Sequence, residues 1–301
     1  MKRVSGNTNE QTESLMQTAS LTILFYPQKN NLIEAVNTYA PNCSHCIFID
    51  NTPSPDPTLE SSLKTKFGEK IIYKALHENK GIAFALNRGF EMAEALQMKY
   101  VLTMDQDSWY DTDDFFKQIS STIFPKNIAI VSASMYKPAR SLTSYDSNWW
   151  NTSAVITSGN WVYLLAWKDV DGFQEDWFID EIDHDFCLRL RKKNWSLLTS
   201  KKMLLNHQLG NKTNCQWLLI GKKMNITLHN PERTYYIIRN SIFLIKRHGF
   251  KNALFALNRK KMILTKLILI LLLYPNKIRY TKYYLLGILD GITHNTQRNL
   301  L

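Results

Sequence analysis

Short apolar runs and helical repeats alternate over the first hundred residues. Residues 21–26 (LTILFY) form an apolar run ended by Pro27. Over 31–39, Leu32, Val36 and Tyr39 fall on one side at helical spacing. A second apolar run, 46–50 (CIFID), is stopped by the turn-rich NTPSPDP at 51–57, and 71–76 reads as a third strand. The clearest helix is 82–96, where Ile82, Ala85, Leu86, Phe90, Ala93 and Leu96 recur. Residues 100–104 (YVLTM) make a fourth strand that ends at Asp105. Strands alternating with helices predict an α/β fold, a mostly parallel central sheet with helices on both faces. Ligands of such sheets bind outside the carboxyl ends of the strands, where Asp50 and Asp105 stand. Beyond residue 125 the pattern loosens. Strands are expected at 128–132 and 154–157, and helices at 180–192 and 233–247. The organisation expected is a flexible tail over 1–19, one α/β domain over 20–225 and a basic helical C-terminal extension over 226–301.

Charge divides the chain more sharply than composition does. Residues 186–301 hold 22 Lys and Arg against 2 acids, Glu232 and Asp290, whereas 1–185 hold 15 against 24. The net charge of +11 is therefore the sum of an acidic part and a strongly basic one, which speaks against a uniformly basic nucleic-acid coat. The four cysteines are too few for a disulfide framework. Cys43 and Cys46 form a C-x-x-C, but an apolar strand follows it where a redox motif needs a helix start, and no second pair stands at zinc spacing. They read as buried thiols.

Residues 1–20 are polar and lack the apolar run of a secretory signal. The run 262–274 (MILTKLILILLLY) is strongly apolar, but it is interrupted by Lys266 and is shorter than the roughly 20 residues needed to span a bilayer. Arg259, Lys260 and Lys261 flank it on one side, and Lys277, Arg279 and Lys282 on the other. Two readings stay open: a helix lying in an anionic membrane surface, or a buried core helix.

Three segments carry candidate chemistry. Asp105-Gln106-Asp107 follows the fourth strand directly, and two carboxylates one residue apart at a strand end can hold a hard divalent cation such as Mg²⁺ or Mn²⁺. In HENKGIAFALNRG (77–89), Asn79, Gly81, Asn87 and Gly89 punctuate a helix start, and Gly81 lets backbone approach a ligand closely. No dinucleotide fingerprint or phosphate-binding P-loop is present. Glu175, Asp176, Asp180, Glu181, Asp183 and Asp185 crowd ahead of a C-L-R. Such acids repel one another unless a cation or ligand stands near, and one of them could serve as a general base.

The order of LTILFYP, CIFIDNT, HENKGIAFALNRGF, MDQDS and FIDEIDHDFCLRLRKKNW resembles the family 2 glycosyltransferases of the A-type nucleotide-sugar fold, and among them the bacterial rhamnosyltransferase group. The resemblance covers roughly 20–245. It implies that 20–225 is a nucleotide-sugar-binding catalytic domain, that Tyr26, Asp50, Asn79, Gly81 and Asn87 lie at the nucleotide, and that Asp105 and Asp107 are the metal pair. It places Asp183 on the catalytic-base position, with Asp180 as the second candidate, because Ile182 stands where the family usually has Glu. Thr157-Ser158-Gly159 resembles the acceptor-side segment, and His207 the histidine that completes the metal or phosphate site. Arg233, Tyr235, Tyr236, Arg239 and Asn240 resemble a following block, read as mainly structural with Arg233 near phosphate.

The activity implied is inverting transfer of a sugar, rhamnose from a dTDP donor or a hexose from a UDP donor, to a lipid-linked oligosaccharide for O-antigen or capsule. The setting implied is the cytoplasmic face of the bacterial inner membrane, with an anionic lipid surface as partner and no nucleic acid. A nucleotidyltransferase would need a Gly- and Lys/Arg-rich loop near the first strand, where only Lys29 and no Gly stands. The remaining rival is a basic membrane- or nucleic-acid-binding module without activity, although no basic-aromatic platform of the single-strand binders is seen.

Overall fold

A computed structural model describes residues 17–134, 142–207, 217–219, 222–224, 228–251, 253–298 and 300. The chain divides into two compact units, Met1–Glu175 with Asp183–Gln208, and Asp176–Ile182 with Leu209–Leu301.

The first unit opens with β1 (Thr18–Leu24), α1 (Lys29–Asn37), β2 (His45–Asp50), α2 (Leu59–Phe67), β3 (Ile71–Ala75), α3 (Ile82–Ala95) and β4 (Tyr100–Asp105). Each expected element is present to within a few residues. β1 begins inside the expected tail, most of which lies outside the described residues. β5 (Ser108–Trp109), α4 (Asp114–Ser121), β6 (Ile128–Ser134), β7 (Trp149–Thr152), β8 (Asn160–Tyr163), α5 (Leu164–Asp169), α6 (Ile182–Lys192), β9 (Ser196–Met203) and β10 (Asn206–His207) follow. The main sheet runs β3-β2-β1-β4-β8-β6-β9-β7. β1, β2, β3 and β4 are parallel neighbours, as are β6 and β9, and β8 runs antiparallel between β4 and β6.

Both faces of the sheet are covered, so β1, β2 and β6 are buried along nearly their whole length rather than at alternate positions. On one face Leu24, Phe48, Leu102 and Met104 join Leu32 and Val36 of α1, Leu63 of α2 and Phe115 of α4 in one core cluster. The other face carries Leu21. There α3 packs so closely that a Cβ on Gly89 would meet Leu21 Cδ1 at 2.1 Å. Cys43 and Cys46 are buried free thiols whose pKa values are raised by burial, the reverse of a redox pair.

Two expected elements are corrected. Residues 154–157 are not a strand but part of the loop between β7 and β8. Side chains replace the ladder there: Thr103 Oγ1 donates to the Thr157 carbonyl and Asn160 Nδ2 to that of Ile156. The helix expected from 180 begins at Ile182, because Asp180 and Glu181 both adopt left-handed backbone (φ 64° each).

The second unit contains a hairpin of β11 (Trp217–Leu219) and β12 (Lys222–Met224), then α7 (Pro231–His248), α8 (Ala253–Leu273) and α9 (Lys277–Thr293). Asn230 caps α7 by accepting from the Arg233 N–H at 2.7 Å, with Pro231 in the first turn. α9 packs along α7 at Gly287 and Gly291, where added Cβ atoms would strike the Tyr235 carbonyl and Ile242. Ile238, Ile263, Ile270, Tyr274, Tyr280 and Tyr284 form the core. Thus α8 is partly buried along one side and exposed along the other.

Candidate active site

The acidic pair at the end of β4 is held in place by neighbours on other strands. Ser158 Oγ accepts the Asp105 N–H at 3.0 Å. Gln106, the middle residue of the motif, pairs its amide with the Phe25 backbone just past β1, accepting from N–H at 2.8 Å and donating to the carbonyl at 3.2 Å. β5 pairs with β10 in register Ser108 to His207, which draws the histidine in from a hundred residues away. His207 Nδ1 lies 3.0 Å from Ser108 Oγ and 3.2 Å from Asp107 Oδ1.

Candidate ligand atoms of Asp105, Asp107 and His207 all lie within 4.8 Å of one another. The Asp105 carboxyl is pushed up to about 6, first by burial, then by the charge of Asp107, with Asp183 adding repulsion and His207 opposing. Burial also raises Asp107. These are hard oxygen donors and an imidazole in a site with surplus negative charge, a donor set that fits Mg²⁺ or Mn²⁺.

At the carboxyl ends of β1, β2 and β3, Asn51 and Thr52 tie the predicted residues together. Thr52 Oγ1 accepts from the Tyr26 N–H at 2.9 Å, and Asn51 donates to Asn79 Oδ1 at 2.9 Å. Asn79 Oδ1 also accepts from the Gly81 N–H at 3.2 Å, and Gly81 (φ 85°) caps α3. Tyr26 is exposed in left-handed backbone. Tyr26, Asn79 and Gly81 thus border the carboxyl ends of β1, β2 and β3.

Two residues expected at the nucleotide have their polar atoms engaged within the protein. Asp50 is fully buried, with one oxygen accepting from the Thr52 N–H and the other from the Tyr73 hydroxyl. Asn87 is saturated. It donates to the Phe173 carbonyl and Glu175, and it accepts from the Trp167 indole and the Phe173 N–H. Four bonds exhaust its amide.

The acidic cluster is answered largely by the protein itself. In the first unit Glu175 lies 3.4 Å from Arg88, and fully buried Asp185 accepts from Arg189 Nε at 2.6 Å. Asp183 has no Lys or Arg partner among the described residues. It sits in the first turn of α6, about a fifth exposed, with Oδ1 accepting the His184 N–H at 2.8 Å, and its charge reaches Asp105. In the second unit Asp180 is gripped by Arg233 through Nε and Nη2, and Glu181 pairs with Arg259 and Ser241. Arg239 is completely buried between Tyr235, Tyr236 and Phe243 and donates to the Trp177 carbonyl, while Asn240 donates to the carbonyls of Trp177, Ile179 and Asp180. The block at 233–240 is therefore structural, as read. Arg233, expected near phosphate, is bonded to Asp180, the second candidate base.

Ser158, Gln106, Asn51 and Thr52 were not predicted in these roles, because their signal lies in pairing between strands. Residues 20–197 match the model of Glycosyl transferase family 2, and the chain belongs to that family. It is 26% identical, over 90% of its length and 93% of the relative's, to the dTDP-rhamnosyl transferase RfbF of Shigella flexneri. Among solved structures, the mannosyltransferase PcManGT of Pyrobaculum calidifontis with GDP-Man and Mn²⁺ matches with TM-score 0.54 at 10% identity, over 93% of this chain and 88% of that one. GalNAc-T7 with UDP, GalNAc and Mn²⁺ also reaches 0.54, at 9% identity, over 95% of this chain, which spans 59% of that one. These likenesses show the fold. Family membership removes the non-enzymatic rival: the chain is a glycosyltransferase similar to a rhamnosyltransferase.

Proposed function

We propose that this glycosyltransferase moves rhamnose from a dTDP donor to a hydroxyl of a lipid-linked oligosaccharide, with inversion, in the assembly of O-antigen or capsule. The donor follows the named relative, which aligns along nearly its whole length. Asp105, Asp107 and His207 would hold Mg²⁺ or Mn²⁺, which would neutralise the diphosphate leaving group. Asp183 takes the proton of the acceptor hydroxyl as its oxygen attacks the anomeric carbon and the bond to the diphosphate breaks. The observation that carries this reading is the contrast inside the acidic cluster. Asp180, Glu181 and Asp185 are bound by arginines, while Asp183 is left to a histidine neighbour beside the Asp105 charge. Ser158 and Gln106 hold the metal loop still, and Tyr26, Asn79 and Gly81 border the nucleotide.

The test is nucleoside-diphosphate release by the full chain over a panel of dTDP-, UDP- and GDP-sugars, with wild type beside Asp183→Asn. dTDP-rhamnose should give the highest kcat/KM. Asp183→Asn should lower kcat by about 10²–10⁴-fold with donor binding unchanged. A variant as active as wild type would remove Asp183 as the base, and preference for a UDP-hexose would replace the donor.

A further inference from the structure

The exposed sides of α8 and α9 carry a pattern that the proposed chemistry leaves unused. On α8, Leu254, Leu257, Lys261, Leu264, Ile268 and Leu271 are all exposed and follow one another at steps of three or four residues. On α9, Ile278, Lys282, Leu285, Leu289 and Ile292 do the same. Such steps keep each set on one side of its helix, while the opposite sides bury Ile263, Ile270, Tyr274, Tyr280 and Tyr284. The two stripes meet. Leu271 of α8 and Ile278, Leu285 and Leu289 of α9 line one shallow groove of about 650 Å³ with Lys277 and Lys282. Ile278 is 87% exposed, and Phe250, just before α8, is 99% exposed. A continuous apolar surface of this kind marks an interaction site.

Charge selects the occupant. Lys260, Lys261, Lys277 and Lys282 are exposed along these stripes and have no carboxylate partner among the described residues. The only acid from 253 to 293 is Asp290, which is buried and taken by Tyr235 and Arg298. A second copy would bring lysines against lysines with no carboxylate to answer them. A layer of anionic lipid offers acyl chains to the leucines and phosphates to the lysines. No described helix is long and apolar enough to cross a membrane.

We propose that α8 and α9 lie in the headgroup region of an anionic bilayer, with their Leu/Ile stripes toward the acyl chains and their lysines reaching back to lipid phosphates. This docking does not depend on the donor or on the base, so it is tested without either.

The experiment is co-sedimentation of the full chain with phosphatidylcholine vesicles, with and without phosphatidylglycerol. One variant carries Leu264→Ser, Ile268→Ser, Leu285→Ser and Leu289→Ser, and a second carries Gln at Lys260, Lys261, Lys277 and Lys282. All eight side chains are exposed, and circular dichroism and melting temperature check that both variants fold. Wild type should sediment only with phosphatidylglycerol vesicles, and both variants should bind them at least about tenfold more weakly. If the serine variant fails to fold, the glutamine variant decides alone. Three results would overturn the proposal: wild type left in the supernatant with anionic vesicles, a folded variant that binds as wild type does, or a dimer in sedimentation equilibrium that the serine variant abolishes while vesicles bind nothing.

Discussion

Arg233 holds Asp180 at two points, Nε to Oδ2 at 3.2 Å and Nη2 to Oδ1 at 3.0 Å. The contact fixes a residue in left-handed backbone that a non-glycine side chain adopts only when its surroundings insist. Arg233→Ala removes a two-point, charge-assisted contact from a mostly buried carboxylate, and it should lower stability by about 1–3 kcal/mol in urea unfolding. Arg233→Lys should recover only part, since an ammonium cannot reproduce the two-point contact. Asp180→Asn tolerates the left-handed backbone and should reduce sugar transfer far less than Asp183→Asn does.

Metal binding is measurable apart from activity. Mn²⁺ added to chelator-treated protein should raise the melting temperature, and His207→Ala should weaken that effect about 10–100-fold in Mn²⁺ concentration. Asp105→Asn removes one of the charges that burial and Asp107 disfavour. The metal-free variant should therefore melt higher than wild type while losing its response to Mn²⁺. An unchanged wild-type melting curve with Mn²⁺ would discard the metal site.

Gly287 tests the packing of α9 on α7. Alanine is about 1 kcal/mol better than glycine within a helix. Its Cβ, however, would lie 2.7 Å from the Tyr235 carbonyl oxygen, which is backbone and cannot swing aside. The clash should win, with Gly287→Ala losing about 1–3 kcal/mol. A higher melting temperature would show that the helices separate freely.

Lys266 reports on pH. Burial lowers its pKa from 10.5 to about 8, with Asp180 opposing and Arg233 reinforcing, while its Nζ donates to the Tyr274 hydroxyl at 2.7 Å. Between about pH 8 and 10.5 the unfolded chain holds more protons at this site than the folded one, so the contribution of Lys266 to stability rises with pH there. Lys266→Met should be more stable than wild type at pH 7, and the advantage should shrink as pH climbs through that window. Unfolding of both proteins at several pH values checks the trend; a constant difference would contradict the burial of the charge.

The strands and helices of residues 20–105 were legible because a sheet covered on both faces needs apolar runs, and because α3 repeats its apolar positions at helical spacing. Asp105 and Asp107 were legible because a strand end announces where ligands bind. β8 was not. It enters the sheet antiparallel between β4 and β6, and its pairing depends on partners sixty residues before it. The false strand at 154–157 had apolar residues, but its backbone is answered by Thr103 and Asn160 side chains, which no local pattern reveals.

By itself the sequence determined the element order through residue 105, the strand-end acids, the family resemblance and the split of charge. Each of these depends on composition or on spacing along the chain. Only the tertiary structure decided which acids are spoken for. Arg233 and Arg259 come from the basic part of the chain to neutralise Asp180 and Glu181, Arg189 takes Asp185, and His207 arrives beside Asp107 through β10. It likewise decided that Asn87 and Asp50 bond to Phe173, Trp167, Thr52 and Tyr73. The physical reason is that a polar group's role is set by the partner it meets at about 3 Å, and most of those partners lie tens to a hundred residues away in the chain.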